Sequence, residues 1–600
     1  MHDTRTFQAH VPRPRTRWVR AVTFTVSLAR QHLRDDPARL PLLALRLMPG
    51  PLRRVVRAAA TRAGGTARAY ALWDQGQRAK ARETVLFTAR GAPRRRVGRL
   101  VAVCLAAGDS ETARDLVAQL PEGAVKDTAE QRTATATGRA VPFPASFPDH
   151  HRITLTRSTR TRSDDTVNAR RPGVSVDAYG LVGTERGTEP CVLHLVTNAL
   201  PHTNAGYTQR THRIASAQRA AGMDVHVVTR VGYPLTKGHR DPRTLVCIDG
   251  VFYHRLLPWT APADAHQELA TGLRMASELV EILRPDVLHA ASNHHNARLA
   301  LALGARHDLP VVYEVRGFLE ESWLSQDASR SVDDAFYRSE RAQETECMLA
   351  ADLVVTLGET MRADIEARGV PRERLLVVPN AVDVSFLAPL PSGAKVRARL
   401  GIGPDDFVAG TTTSCFGYEG LDVLLDAVAL MRERGTRAHA LVVGDGPELP
   451  SLRARAQDLG LAGAAHFVGR VPSSDVRTYH AALDVFTVPR RDERVCRMVT
   501  PLKPVEAMAG GLPVVASDLP ALREIVEPGV SGELIPAGET ARLADTLTKL
   551  AYSHKKRTYY GTAGRKAVSN DRTWDMAVYR YHQAYLSLIQ KLSEPGQIRG

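Results

Sequence analysis

The order of apolar and polar positions divides the chain into three kinds of segment. Trp18 to Leu33 is basic and apolar with helical spacing, and Leu40 to Met48 is a short apolar run stopped by Pro49-Gly50. Gly76–Arg82 and Gly108–Arg114 each set a glycine turn before an Ala-Arg helical stretch, 32 residues apart. This spacing is similar to tetratricopeptide-type helical hairpins. Two copies fall short of the roughly three that a solenoid needs, so a plain helical bundle is an equal reading. Residues 1–125 thus read as an α-helical region. Over 126–188 the long apolar runs vanish and Thr, Arg, Ser, Asp and Pro dominate, as in a polar linker.

From Cys191 onward short apolar runs alternate with amphipathic segments. Strands are predicted at Val192–Thr197, Val225–Thr229, Val287–Ala290, Val311–Val315, Leu353–Leu357 and Leu375–Val378, with helices such as Thr208–Ala221 and Ala297–Arg306 between them. The alternation then restarts. Phe407–Thr412, Ala440–Val443, His466–Val468, Val485–Val488 and Val514–Ala516 read as strands, with helices near Leu421–Arg432, Glu448–Leu459, Pro501–Ala509 and Leu519–Val526. Such alternation predicts parallel sheets covered by helices on both faces. The expectation is therefore an α/β protein with two Rossmann-like doubly wound domains, at 189–370 and 371–575. A basic α-helical region precedes them and a C-terminal helix and tail, 576–600, follows. Ligands of open α/β sheets bind at the carboxyl ends of the strands, which here would line a cleft between the two domains.

Composition narrows the classes. The chain has 600 residues, 44% hydrophobic and 24% charged, which excludes wholesale disorder. No run of eighteen apolar residues occurs, and no secretory signal is read after Arg13, Arg15, Arg17 and Arg20. The six cysteines are scattered without a C-x-x-C, so neither a disulfide scaffold nor a zinc ribbon is expected, and a reduced, cytoplasmic protein is the default. The net charge of +16 is uneven. Residues 1–171 hold 32 Lys+Arg against 14 Asp+Glu, and the rest 48 against 50. An anionic partner for the N-terminal region would explain this, either an anionic membrane surface or nucleic acid, and so would arginines on solvated helices. No recognised nucleic-acid motif accompanies the charge, so nucleic acid is not favoured.

One stretch points to a family. Val485-Phe-Thr-Val-Pro489, followed by Thr500-Pro-Leu-Lys-Pro-Val-Glu-Ala-Met-Ala-Gly-Gly-Leu-Pro-Val-Val-Ala-Ser517, resembles the retaining nucleotide-sugar glycosyltransferases of family 4 (glycosyl transferases group 1), which have the GT-B fold. Further stretches agree in order: Val378-Pro-Asn-Ala-Val-Asp383 with Phe386, Tyr418–Ala427, Val442-Val-Gly-Asp-Gly-Pro447, Phe467-Val-Gly-Arg470, and Trp574–Leu588, which is similar to a C-terminal helix that crosses back to the first domain. The resemblance covers roughly residues 190–590 and a Thr-Pro-Leu-Lys-Pro-x-Glu subtype.

The resemblance implies roles. Pro501 suits a first helical turn, and Lys503 in that turn would meet the donor diphosphate. Glu506, one turn on, would accept from the ribose hydroxyls. The plain alternative is an exposed Lys503–Glu506 ion pair. Three positions depart from the family pattern: Met498 stands where a first glutamate is usual, and Glu419 and Thr413 stand where a lysine and an arginine are usual. The run Arg490-Arg491-Asp-Glu-Arg494 with Arg497 lies just before Lys503, and Arg490 or Arg491 is expected to join Lys503 in neutralising the diphosphate. A solvated loop is the alternative.

Gly206 follows the first strand and would let the backbone approach donor or acceptor, with Arg210 one turn into the next helix reaching the same cleft. Gly444 belongs to a strand end of the nucleotide-binding domain, although the full G-x-G-x-x-G is missing. Arg316 stands where some relatives have a functional histidine. It cannot act as a base but could stabilise the departing phosphate or orient an acceptor. Glu314 would interact with the acceptor hydroxyl, or else pair with Arg316. His289, His294 and His295 lack further ligands for a metal and are expected to line or cap the cleft. No cofactor and no metal is expected beyond the nucleotide sugar itself.

The sequence reading is thus an EC 2.4 hexosyltransferase acting from an NDP-sugar on an acceptor hydroxyl, on a glycan or a lipid. The settings would be polysaccharide, cell-envelope or glycolipid synthesis, at the inner face of the plasma membrane or free in the cytoplasm. Residues 1–125 would attach it to an anionic membrane or to a protein partner. Two other readings stay open, a non-catalytic GT-B scaffold and a GT-B nucleotide-sugar epimerase.

Overall fold

A computed structural model of the protein describes residues 14–35, 50–133 and 189–593, apart from 76, 108, 122, 124, 127, 128, 130–132 and 327–329. The apolar run Leu40–Met48 and nearly all of the polar linker at 126–188 lie outside the described residues.

Two sheets follow in sequence. The first has eight strands in the order β3-β4-β2-β1-β5-β6-β7-β8. They are β1 (Cys191–Val196), β2 (Asp224–Thr229), β3 (Leu245–Ile248), β4 (Val251–Arg255), β5 (Val287–Ala291), β6 (Val311–Val315), β7 (Leu353–Thr356) and β8 (Leu375–Val377). The second has six parallel strands in the order β11-β10-β9-β12-β13-β14: β9 (Phe407–Thr412), β10 (Ala438–Val443), β11 (Ala465–Gly469), β12 (Val485–Val488), β13 (Val514–Ser517) and β14 (Gly532–Ile535). Strands such as β5, β6, β9, β10, β12 and β13 are buried along their whole length. Continuous Val/Leu/Ala runs suit this environment, because helices cover both faces of a parallel sheet.

The sequence pattern missed three strands. β3 and β4 form an antiparallel hairpin on the sheet edge, with Leu245 opposite His254 and Ile248 opposite Val251. Its turn is Asp249-Gly250, both at positive φ (48° and 81°), the geometry that a two-residue hairpin turn demands. β14 is the third, four residues that include Gly532 and Glu533 and pair with β13 at the opposite edge of the second sheet.

The two sheets face each other across a cleft, the arrangement of a GT-B fold. The chain crosses back at its end. The helix Trp574–Ser593 packs on the helix Gly206–Ala220 of the first domain, burying Tyr581 and Tyr585 among Val192, Ile214 and Val312. Two further contacts join the domains directly. The Glu524 carboxylate accepts from the Glu359 and Thr360 amides (2.7 and 2.8 Å), capping the helix Glu359–Ala367, and the Arg494 guanidinium meets Glu321 at 2.9 Å.

The N-terminal helices divide into two groups. Pro14–Asp35 lies on the first domain through Ala21, Phe24 and Leu28, which meet Leu235, Leu257 and Ala261. The helices Gly65–Asp74, Arg78–Ala89, Arg94–Ala107 and Ser110–Ala118 form a separate core around Val85, Leu100, Cys104 and Leu116. Asp109 caps the last of them by accepting from the Thr112 amide at 3.1 Å. Among the described residues no helix is long and apolar enough to cross a membrane.

Candidate functional site

The interdomain cleft encloses about 780 Å³. Its first-domain wall is the start of the helix Gly206–Ala220, which sets the positive end of the helix dipole against the cleft. The connecting segment Ala381–Asp383 forms the back. The second-domain wall comes from the carboxyl ends of strands: Thr411–Ser414 at the end of β9, Gly444 and Asp445 after β10, Arg470 after β11 and Arg490 after β12. Lys503 and Glu506 complete this wall.

Lys503 and Glu506 belong to a short helix, Lys503–Ala509. Its first turn holds Pro504. The expectation that Pro501 takes that place is corrected: Pro501 lies two residues before the helix, and the proline fixed at the helix start is Pro504. Lys503 Nζ donates to Glu506 Oε2 at 3.3 Å. The lysine is 43% exposed and the glutamate 13%, so the cation faces the cleft while the carboxylate lies deeper. Burial pushes the Glu506 carboxyl above its ordinary value, with Lys503 opposing the shift. Behind them the His480 imidazole is pushed down to about 3 by burial and the charges of Lys503 and Arg477, and so is neutral.

Arg490 and Arg491 part company. Arg490 is buried, lies against the cleft, and forms a bidentate pair with Glu419 at 3.0 and 3.2 Å. It also donates to the Val499 carbonyl at 3.1 Å. Glu419 raises the Arg490 pKa against the effect of burial, so the guanidinium stays charged. Arg491 turns away, to Asp422 at 2.5 Å and the Gly417 carbonyl at 3.1 Å, and does not line the cleft. The expectation for Arg491 is corrected on that ground. Arg494 and Arg497 are likewise engaged, with Glu321 and Asp492. Met498 packs toward the core of the first domain, alongside Val499.

Arg210, Glu314 and Arg316 lie at and beneath the first-domain wall. All five Arg210 donors are used: by Glu314 at 2.8 Å, the Pro379 and Val378 carbonyls at 3.1 and 2.9 Å, Asn380 at 3.2 Å and the Tyr581 hydroxyl at 3.3 Å. Glu314 is wholly buried and also meets Arg316 at 2.7 Å, His289 at 3.2 Å and Tyr581 at 2.9 Å. Burial alone would raise its carboxyl, but Arg316 and Arg210 hold it well below the usual carboxylate range. Neither Glu314 nor Arg316 lines the cleft. The direct acceptor contact expected of Glu314 is corrected to an internal tie, and Arg316 is spent on Glu314, Thr211 (2.6 Å) and the Tyr207 carbonyl (3.0 Å). Arg210 touches the cleft, yet its nitrogens are committed to the connecting segment and the C-terminal helix.

The two expected glycines differ. A Cβ on Gly206 would meet nothing within 4 Å, so the position opens onto free cleft space. A Cβ on Gly444, at φ +147°, would stand 1.7 Å from the Thr413 carbonyl oxygen; here glycine is required for the ends of β9 and β10 to approach. The expected cleft role of the histidines is also corrected. His289 is buried between Tyr585 (2.6 Å) and Glu314, and His294 opens the helix His294–His307 against Glu340 at 3.1 Å. The His295 ring lies 4.1 Å from that of His294 at a tilt of 37°, and none of the three lines the cleft. Among the described residues no group of three or more His, Cys, Asp or Glu is arranged to hold a metal.

Among the cleft residues that sequence reasoning did not single out are four with defined partners. Arg213 and Asp383 form an ion pair at 2.6 Å across the cleft back. Arg213 lies one turn beyond Arg210, and Asp383 closes the quoted Val378–Asp383 segment, so both were within reach of the pattern. Phe416 and Tyr418 stack at 5.5 Å with their rings 10° apart on the second-domain wall. Phe416 precedes and Tyr418 lies within the 3-10 turn Gly417–Glu419, too short a segment for a periodic signal.

Comparison with known proteins agrees with this geometry. Residues 407–552 match the family model described as "Glycosyl transferases group 1", and residues 205–381 match "Glycosyl transferase 4-like domain". The two matches follow one another along the chain, over the second and the first sheet respectively. It is 30% identical over 227 residues to a GDP-mannose-dependent alpha-(1-6)-phosphatidylinositol monomannoside mannosyltransferase of Mycobacterium tuberculosis, covering 37% of this chain and 59% of that protein. It is 35% identical over 206 residues to the phosphatidyl-myo-inositol mannosyltransferase of Mycobacterium leprae, 34% and 50% of the two chains. The match thus spans little more than half the length of these relatives. A D-inositol 3-phosphate glycosyltransferase of Catenulispora acidiphila aligns more fully, 27% identical over 68% of this chain and 98% of its own. Among solved structures, the sucrose-phosphate synthase of Thermosynechococcus elongatus superposes with a TM-score of 0.54 at 19% identity, over 67% of this chain and all of that one. The Anabaena HepE structure in complex with UDP gives 0.51 at 20%, over 66% and 100%. These two share the fold.

Proposed function

We propose that this protein is a retaining glycosyltransferase that moves a hexose-like sugar from a nucleoside-diphosphate sugar to an acceptor hydroxyl. The observation that carries the reading is the Lys503–Glu506 pair on the second-domain wall, facing the open helix start at Gly206. Lys503 would contact the diphosphate, with Arg490 behind it as a second fixed cation. Glu506 would accept from the ribose hydroxyls, and Gly206 and Gly444 keep the backbone close to the ligand. When the anomeric C–O bond breaks, negative charge develops on the departing diphosphate. Pre-placed cations and helix amides that need no rearrangement lower the barrier for that step. Charge neutralisation is thereby assigned to side chains of this chain, with no resident metal. Arg210, Glu314 and Arg316 would act as positioning residues that hold the connecting segment and the C-terminal helix.

The relatives, which include a GDP-mannose-dependent enzyme and phosphatidylinositol mannosyltransferases, support a hydroxyl acceptor on a glycolipid or glycan. The setting would be polysaccharide, cell-envelope or glycolipid synthesis, at the inner face of the plasma membrane. Residues 1–125 would attach the enzyme to that surface.

Thermal unfolding of the full chain with UDP, GDP, ADP and dTDP tests the reading, with Lys503→Ala as control. Ligand at roughly 100 times its dissociation constant should stabilise by about 2.7 kcal/mol. A shift with one nucleotide that disappears in the variant identifies the donor base. No shift with any of the four sinks the reading in favour of a non-catalytic scaffold. That second reading draws on Glu419 and Met498, which leave the wall with fewer free cations and one carboxylate less.

A further inference from the structure

The helix Pro14–Asp35 is apolar on two opposite faces, and the protein covers one of them. On the covered face Phe24 packs over Gly232, where a Cβ would stand 2.4 Å from its ring. The Ala261 amide donates to Ser27 Oγ at 2.7 Å, and Gln31 Nε2 donates to the Ala263 carbonyl at 2.7 Å. About half a turn away, Trp18, Val22 and Val26 follow each other at four-residue spacing, with Val19 beside them. They are 51%, 58%, 44% and 56% exposed. Single exposed apolar side chains are ordinary, but a row of four along one helix is a surface that another phase or molecule covers.

Charge selects the occupant. This helix and the helix Gly50–Ala63 carry Arg15, Arg17, Arg20, Arg30, Arg34, Arg53, Arg54, Arg57 and Arg62, against Asp35 as the one acidic residue of the two. Trp259 of the first domain is 46% exposed, and the Arg20 guanidinium of this helix lies 5.0 Å from its ring centroid. Apolar side chains with tryptophans and flanking arginines fit the headgroup–acyl boundary of a bilayer. Position agrees. The helix docks beyond the carboxyl end of β2, where the Tyr233 hydroxyl donates to the Ala199 carbonyl. Ala199 lies in the loop that runs on to Gly206, so the helix is anchored on a segment joined to the first-domain wall of the cleft.

We propose that the Trp18–Val22–Val26 face docks on an anionic lipid bilayer, presenting the first-domain side of the cleft to an acceptor held in that membrane. This deepens, and rests on, the attachment role proposed above for residues 1–125. A second copy seated on the same face would bring two arginine-rich helices together, at a repulsive cost.

The test uses the full chain with two kinds of vesicle, phosphatidylcholine alone and phosphatidylcholine mixed with phosphatidylglycerol. Expected are co-sedimentation with the mixed vesicles, weakening as salt rises from about 50 mM to about 500 mM, and a blue shift of tryptophan emission that Trp18→Phe reduces. The double variant Val22→Ser, Val26→Ser should lower vesicle affinity by about tenfold or more, with thermal unfolding unchanged because both side chains face solvent. No binding to either vesicle, or binding that both variants leave intact, overturns the proposal. So does a loss of self-association in the double variant by light scattering, which would give the face to a second copy. Nucleotide stabilisation is read on the same preparations. If it persists without vesicle binding, the docking surface fails alone; if it is absent, the transfer reading fails.

Discussion

Arg490 and Glu419, 71 residues apart in the chain, lock into a bidentate ion pair within the second-domain wall. Glu419 is the position that breaks the family's cationic pattern, and Arg490 brings the positive charge back from the end of a different strand. The pair is a tenth exposed on either side, so each partner needs the other. Glu419→Ala would leave a buried guanidinium uncompensated and should cost about 3–5 kcal/mol in urea unfolding. Arg490→Lys keeps a charge but loses the fork, so stability should fall less while nucleotide affinity still drops. A Glu419→Ala protein as stable as the parent would show that this pair is not what holds the wall.

Glu314 makes a prediction about pH. Its carboxyl is held well below its ordinary value of 4.5 because, against burial, Arg316 and Arg210 favour the charged form. Between the folded and unfolded values the unfolded chain binds the extra proton, so stability rises with pH there. This contribution is fully present above about pH 4.5 and is lost as the pH falls toward the depressed folded value. Glu314→Gln should therefore destabilise the protein by about 3–5 kcal/mol at neutral pH, since it strands two buried guanidinium groups. It should also flatten the acid limb of the stability curve. An unchanged acid limb would place the charge coupling elsewhere.

Gly206 and Gly444 separate ligand contact from folding. Gly206→Ala adds a methyl group to open cleft space, so stability should stay within about 0.5 kcal/mol. Nucleotide-dependent stabilisation should nonetheless shrink. Gly444→Ala sets a methyl group against the Thr413 carbonyl at a backbone angle that alanine rarely takes, and should lower the melting temperature markedly even without ligand. Equal melting losses in both variants would deny Gly206 its ligand role.

Much of this architecture is legible in the sequence because parallel strands buried on both faces leave unbroken apolar runs. β9, β12 and β6 stand at the predicted residues. β3 and β4 escaped because Leu245–Ile248 and Val251–Arg255 mix apolar with polar residues at a sheet edge, although Asp249-Gly250 was a hairpin signal in plain view. β14 escaped because four residues that include glycine and glutamate carry no period. In the site, Lys503 and Glu506 were legible as neighbours three residues apart on one helix. The commitment of Arg210 was not. Its partners lie at Glu314, Val378–Asn380 and Tyr581, and only folding brings them together. Local spacing likewise could not tell Arg490 from Arg491, because their separation is decided by Glu419 and Asp422 on another element.

Glu506 should show stability and binding moving in opposite directions. Burial raises its carboxyl above 4.5, with Lys503 opposing the shift, so the folded protein binds the proton more tightly than the unfolded chain. Stability then falls as the pH rises from about 4.5 through the raised folded value, because the charged form is the costly one to bury. Glu506→Gln removes that charge at nearly constant shape and leaves Lys503 half exposed to water. The ligand-free variant should be as stable as the parent at neutral pH, or more so, and its stability should lose this pH dependence. A hydrogen bond from a ligand hydroxyl to a carboxylate is worth about 1.5–3 kcal/mol, so nucleotide affinity should fall by about tenfold to a hundredfold. Calorimetric titration of the nucleotide that stabilises the parent, alongside urea unfolding without ligand, reads both quantities. Unchanged affinity with reduced stability would make Glu506 a structural partner of Lys503 and remove it from the ribose.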